Sequence, residues 1–462
     1  MFHLPKVRVH FGISKCWSVK GRSTAAATDK IAGNVEEFNF SDHVSAFGCK
    51  TRWELLRALT VLRLCSSDLL VDNSQTLLRW CKRFGGGPLL RSVLYDQFVG
   101  GDSAAEVRHC MRRLASEGIR PMLATTMEED LGEGGDESVY ERNCIRILDC
   151  IKIAAAEDIP SPMVQLKLSG LLSADLLVTL GNIYTTSSNK LELVMTLTRC
   201  MMGAYTKKIV LTGTALNEKE ESCLLLALQR LKRIADEAQT QNVRILVDAE
   251  YTYHNPGLSL LTLATVATYN KQFPLFWNTY QCYLKNAEKK LNEELPFVLG
   301  PLEAHFGAKI VRGAYMVQEK IYAEKLGIED PVCKDYATTC KNYNTILSYL
   351  LDKASEKGSR CEFIIASHNE DSVRFASRRM AELNINRRNG GVCFGQLYGM
   401  GDHITNPLAN SGFAVYKSIA IGSLDEVLPY LARRAIENRS VVQGARRERA
   451  LLRKELRRRF AF

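Results

Sequence analysis

The residues with chemistry to offer stand where short apolar runs end. Such runs close on Lys167, on Asp248 and Glu250, on Asn278, on Lys309 and Arg312, on Ser367 and His368, on Gln396 and on Ser418. Solvation alone does not explain apolar segments that end in polar or charged groups so many times over. A second group lies in GSLDEVLPYLARRAIEN (422–438), where Tyr430, Arg433, Arg434 and Glu437 are spaced i, i+3, i+4, i+7. On a helix these four share one face. Two adjacent guanidiniums on that face would clamp a carboxylate bidentately. The segment opens with Ser423 and Glu426, a capping-box spacing that sets the helix start.

The runs themselves are RPMLATT (120–126), VQLKLSG (164–170), VRILVDAE (243–250), PLFWNTY (274–280), AKIVRGAY (308–315), EFIIASHN (362–369), GVCFGQLYG (391–399) and AVYKSIAIG (414–422). Longer amphipathic stretches separate them, among them 218–239, 334–358 and 371–384. Strand–helix alternation indicates parallel βαβ units. Eight of them predict a (β/α)8 barrel, whose functional groups belong at the C-terminal strand ends, where the polar residues fall. No GxGxxG follows a strand, which disfavours a doubly wound dinucleotide fold. Before the barrel, 53–81 has helical periodicity, and 29–118 reads as a helical N-terminal region packed onto the core. The barrel then occupies 119–445, followed by a basic tail over 446–462.

Charge is uneven. Of the net +10, residues 1–28 carry five basic groups and no acid, and 433–462 carry eleven against three acids, so the body 29–432 stands at −3. A near-neutral body with basic ends gives little footing for nucleic acid. The leader 1–28, basic and dotted with Ser and Thr, has the composition of a mitochondrial transit peptide. No run of 18 apolar residues occurs, and Leu258–Tyr269 is short and threonine-dotted, so no spanning helix is expected. The fourteen cysteines form no CxxC pair and read as small buried hydrophobes. His254, His305, His368 and His403 lack HxH or HExxH spacing, and no metal site is expected.

With these motifs in place, the chain resembles the proline dehydrogenase family. LVDAE (246–250), WNTYQ (277–281), KIVRGAY (309–315), ASHNED (366–371), FGQLYGMGD (394–402) and YLARRAIEN (430–438) carry the resemblance, in order, across most of the chain. It implies a distorted (β/α)8 barrel that binds FAD, oxidises a cyclic amino acid and passes electrons to a quinone. In a mitochondrion that acceptor is ubiquinone at the matrix side of the inner membrane, with peripheral contact. The resemblance makes Asp248 and Lys309 catalytic, and Lys167, Arg433 and Arg434 the carboxylate-binding set. It makes Ala249, Asn278, Lys309, Arg312, Gly313, Ala314, Ser367 and His368 flavin contacts. Relatives often carry an arginine in place of Lys309 and a glutamine in place of Asn278. Tyr315, Leu397 and Tyr430 would wall the substrate ring, and Glu128 would pair with Arg433 to close the site.

One position departs from much of the family. Ser418 stands where many relatives carry a tyrosine, twelve residues before Tyr430. A small residue there leaves room for a ring hydroxyl. The resemblance therefore extends to the form of the family that oxidises trans-4-hydroxy-L-proline to 1-pyrroline-3-hydroxy-5-carboxylate, with L-proline oxidation to 1-pyrroline-5-carboxylate as the alternative.

Overall fold

The computed structural model describes residues 38–126, 137–204, 209–211, 214–437 and 446–460. The leader 1–28 and Glu128 lie outside them. Eight parallel strands close into a barrel: β1 Arg120–Thr125, β2 Met163–Leu166, β3 Arg244–Val247, β4 Phe276–Gln281, β5 Phe306–Val311, β6 Cys361–Ala366, β7 Val392–Leu397 and β8 Val415–Ile421. Each strand pairs with its neighbours in chain order, and β8 closes on β1 with Met122 opposite Ser418. Each of the eight predicted runs overlaps one strand. A two-residue hairpin, Val210–Leu211 with Thr214–Ala215, stands apart from the barrel.

The strands are largely apolar because helices cover their outer faces while side chains fill the lumen. Met122, Met163, Leu246, Trp277, Ile364, Cys393, Ala414 and Tyr416 pack together as the lumen plug. Side chains alternate along a strand, so positions two residues onward face the same lumen, nearer the mouth. That rule points Gln165, Asp248, Thr279 and Ser418 inward. Gly307 makes room for the Trp277 ring, since a Cβ there would lie 2.4 Å from it. Lys309, two residues on, therefore also faces the lumen.

The apolar run at Leu258–Tyr269 belongs to the helix Asn255–Tyr269, buried along almost its whole length. It packs between the barrel and the helices Ala174–Thr186 and Lys190–Met201, which is why it is hydrophobic all round. Its approach is close enough that a Cβ on Gly257 would come within 2.2 Å of the Leu177 carbonyl. Among the described residues, no helix is long and apolar enough to cross a membrane.

The two ends of the described chain meet. The helix Arg52–Leu64 opens with a Thr51–Glu54 capping box and buries Leu55, Ala58, Val61 and Leu62. Leu55, Ala58 and Leu62 pack in one cluster with Leu451, Leu452 and Leu456 of the C-terminal helix Arg446–Phe460. The basic 446–462 segment thus contains a folded helix with an apolar seam. Within it, fully buried Glu455 is held by Arg458 at 2.7 Å, Arg459 at 2.6 Å and His43 at 2.9 Å. Arg453, Lys454, Arg457 and Arg458 remain on its exposed face.

Candidate active site

The lumen above the plug holds a connected line of polar side chains. Lys309 forms an ion pair with Asp248, just beyond β3, and donates to Gln165 Oε1 at 3.1 Å. Gln165 Nε2 in turn donates to Ser418 Oγ at 2.7 Å. The line crosses the barrel from β3 and β5 through β2 to β8. Only 6% of Lys309 is exposed, so its charge is held by the carboxylate and amide rather than by water. The structure brings together three residues singled out from sequence, Asp248, Lys309 and Ser418. Gln165 had escaped notice, although its place two residues after Met163 puts it on the lumen face.

After β5 the chain turns sharply. Gly313 has φ +143°, and a Cβ there would lie 1.7 Å from the Tyr283 ring. Only glycine fits this turn. The turn aims Arg312 across the barrel rim, where its guanidinium donates to Ser367 Oγ at 2.6 Å and Ser372 Oγ at 2.9 Å. The same guanidinium lies 4.3 Å from the Tyr343 ring centroid, a cation–π contact that fixes its plane. Ala249 and Ala314 are half-buried in the loops that follow β3 and β5.

The helix Leu424–Glu437 carries Tyr430, Arg433 and Arg434, the last two expected from sequence to bind a carboxylate. Its capping box forms as the spacing indicated, with Ser423 N–H donating to Glu426 at 3.2 Å and Glu426 N–H to Ser423 Oγ at 3.4 Å. The Arg434 guanidinium sits 5.6 Å from the Tyr315 ring and 5.5 Å from the Tyr430 ring. Tyr315 is buried and touches Tyr251, ring centroids 4.5 Å apart. This helix is therefore joined through aromatic faces to the loop after β5. Lys167, just beyond β2, is half-buried. Burial raises the pKa of the Glu250 carboxyl, and the nearby Lys167 charge opposes the rise. Glu250 also accepts the Ser169 N–H at 3.3 Å.

His368 follows β6. Burial pushes its pKa down to about 4, and the Lys417 charge adds to the effect, so the ring is neutral near pH 7. Its Nε2 accepts the Leu397 N–H at 3.1 Å, which leaves the proton on Nδ1. Leu397 is 39% exposed at the rim. The C-terminal helix supports this corner. Glu448 accepts the N–H groups of Gly401 and Asp402 at 3.0 and 3.2 Å, just past β7. Burial alone would lower the pKa of His403, but Glu370 and Glu448 outweigh it and hold it at about 9.

Asn278 is a correction. Its side chain points away from the lumen into the helical layer, donating to Glu294 Oε2 at 3.0 Å and Ser259 Oγ at 3.3 Å. It is 8% exposed and cannot reach the mouth. Trp277 occupies the lumen on β4, so its neighbour must face outward. The amide that β4 does bring to the mouth is Gln281, 4% exposed, whose Oε1 accepts from Asn255 Nδ2 at 3.0 Å.

The profile described as Proline dehydrogenase matches residues 107–447. A Hydroxyproline dehydrogenase of Xenopus laevis is 43% identical over 448 residues, covering 96% of this chain and 94% of that protein. The Homo sapiens protein of the same name is 41% identical over 434 residues, covering 90% of this chain and 92% of its own. Proline dehydrogenase 1, mitochondrial, of Drosophila melanogaster is 29% identical, covering 96% and 84%. A crystal structure of proline utilization A from Bdellovibrio bacteriovorus superposes with a TM-score of 0.62 over 88% of this chain and 40% of that one. At 18% sequence identity this last likeness bears on the fold alone.

Proposed function

Because the chain belongs to the proline dehydrogenase family, we propose that it is a mitochondrial, FAD-dependent dehydrogenase of trans-4-hydroxy-L-proline. The product is 1-pyrroline-3-hydroxy-5-carboxylate and the electron acceptor is ubiquinone. The observation that carries the choice of substrate is Ser418, a small hydroxyl on the lumen face of β8 where a larger ring would fill the space. The relatives named for hydroxyproline support the same choice.

The mouth suits a flavin. Lys309, Arg312, Gln281 and Ser367 offer N–H and O–H donors around the rim for ring and phosphate oxygens. The Nε of Arg312 is buried without a hydrogen-bond partner. Arg312, Gly313 and Ala314 after β5 and Ser367 and His368 after β6 would hold the cofactor, with Gln281 in the place first assigned to Asn278. When bound, the flavin supplies the hydride acceptor.

The chain's own part is orientation. Lys167, Arg433 and Arg434 anchor the substrate carboxylate, which fixes the ring carbon against the cofactor face. Tyr315, Tyr430 and Leu397 enclose the ring and exclude water. Lys309, held by Asp248 and Gln165, keeps a positive charge where negative charge develops in the reaction. The purified protein is expected to show flavin absorbance that bleaches anaerobically on adding trans-4-hydroxyproline and returns with a soluble quinone. Folded protein without a flavin spectrum would remove this reading.

Access to ubiquinone calls for contact with a membrane surface. Leu69, Leu77, Trp80, Phe84 and Leu89 are all exposed. Leu69, Leu77, Trp80 and Leu89 lie on the short helices Asp68–Asp72, Ser74–Arg83 and Gly87–Leu90, and Phe84 caps the second; the first two pack on the helix Leu424–Glu437. Arg79, Lys82 and Arg83 flank them. An apolar face with tryptophan and basic flanks suits the lipid interface, and the exposed arginines of the C-terminal helix would add attraction to anionic lipid. Wild-type protein should co-sediment with anionic vesicles and Trp80→Glu/Phe84→Glu should not. Equal binding by both would place the contact elsewhere.

A further inference from the structure

We propose that Gln165 is a specificity-determining residue: it orients the Ser418 hydroxyl as a hydrogen-bond donor to the 4-hydroxyl of the substrate. The proposal rests on the hydroxyproline reading and names a second residue behind it.

The argument starts from Lys309. An ammonium group only donates, so the Gln165 atom 3.1 Å from it must be the carbonyl oxygen. That settles the direction of the amide. Its NH2 end must face Ser418, where it lies 2.7 Å from Oγ. An amide nitrogen cannot accept, so Ser418 Oγ accepts here, and its own hydrogen points elsewhere. The strand partners of Ser418 are Met122 on β1 and Leu397 on β7. Neither side chain carries an oxygen to receive it. Among the described residues Ser418 Oγ donates no hydrogen bond, so its hydrogen is available toward the lumen, on the side walled by Leu397. A substrate oxygen on the ring would complete the chain from Lys309 through Gln165 and Ser418.

Two consequences separate this role from simple support of Lys309. Gln165 acts on the substrate hydroxyl only through Ser418, and proline has no oxygen to receive the bond. A site built to bond a substrate hydroxyl discriminates against the analogue that lacks it. Removing the amide should therefore change the ratio of the two substrates, not only the rate.

The test is kcat/KM for trans-4-hydroxyproline and for proline in wild type, Gln165→Leu, Gln165→Met, Ser418→Ala and the Gln165→Leu/Ser418→Ala double variant. Bound-flavin absorbance reports whether each variant is folded, and the near-isosteric methionine serves if leucine misfolds. The hydroxyproline-to-proline ratio should fall about fivefold in either Gln165 variant, the size of one hydrogen bond. The double variant should fall no further than Ser418→Ala alone. An unchanged ratio with both rates reduced would show that Gln165 merely supports Lys309, and multiplicative losses in the double variant would show that it does not act through Ser418. A wild type that prefers proline overturns the hydroxyproline reading itself. A wild type that prefers hydroxyproline, with an unchanged ratio in both Gln165 variants, overturns only the role of Gln165.

Discussion

Arg434→Met is expected to raise KM for the amino acid by a factor of about thirty to several thousand. The guanidinium is half-buried and placed between the Tyr315 and Tyr430 rings, 5.6 and 5.5 Å from their centroids. A carboxylate anchored there loses a charge-assisted partner in a site with little water. Truncating one side of such a pair costs about 2–5 kcal/mol, and each 1.4 kcal/mol is about tenfold. Methionine keeps much of the side-chain volume, so the aromatic packing should survive and the loss should fall on binding. Arg434→Lys should be intermediate, because it keeps the charge but not the fork. Steady-state kinetics with bound flavin confirmed by absorbance gives the answer. A KM within about threefold of wild type would remove Arg434 from the carboxylate site.

Ser418→Tyr should reverse the preference between the two amino acids, lowering the hydroxyproline-to-proline ratio of kcat/KM on the order of a hundredfold. A wall that merely tolerates a hydroxyl discriminates by no more than about that factor. Here two effects add. The phenol ring would occupy the lumen beside Leu397, where the substrate hydroxyl must sit. It would also displace the hydroxyl that Gln165 holds at 2.7 Å. Proline needs neither the space nor the bond. Proline turnover should therefore survive in the variant, which separates lost selectivity from lost folding.

The barrel was legible because each strand is a short β-branched run between amphipathic helices, and because strand ends concentrate polar residues. The helix Leu424–Glu437 was legible from its capping box and from the spacing of Tyr430, Arg433 and Arg434. The assignment of Asn278 failed for a physical reason. Phe276, Trp277, Asn278 and Tyr280 are all buried, so β4 has no polar contrast between its faces from which the inward side could be read. Two amides three residues apart, Asn278 and Gln281, then fall on opposite faces, and only the structure decides between them. Gln165 was passed over because a neutral amide among apolar residues draws less notice than the lysine two positions later. Its importance lies in contacts with residues far away in the chain. The basic C-terminal segment concealed a packed helix for a similar reason. Its composition is dominated by arginine, while Leu451, Leu452 and Leu456 find their partners nearly four hundred residues earlier, at 52–64.

The most direct test of the central claim is the wild-type ratio of kcat/KM on trans-4-hydroxyproline and on proline, measured with the same quinone acceptor and normalised to bound flavin. Ser418 at the lumen face and its bond from Gln165 lead to a clear preference for hydroxyproline. A preference for proline would contradict it and make the protein an L-proline dehydrogenase that forms 1-pyrroline-5-carboxylate.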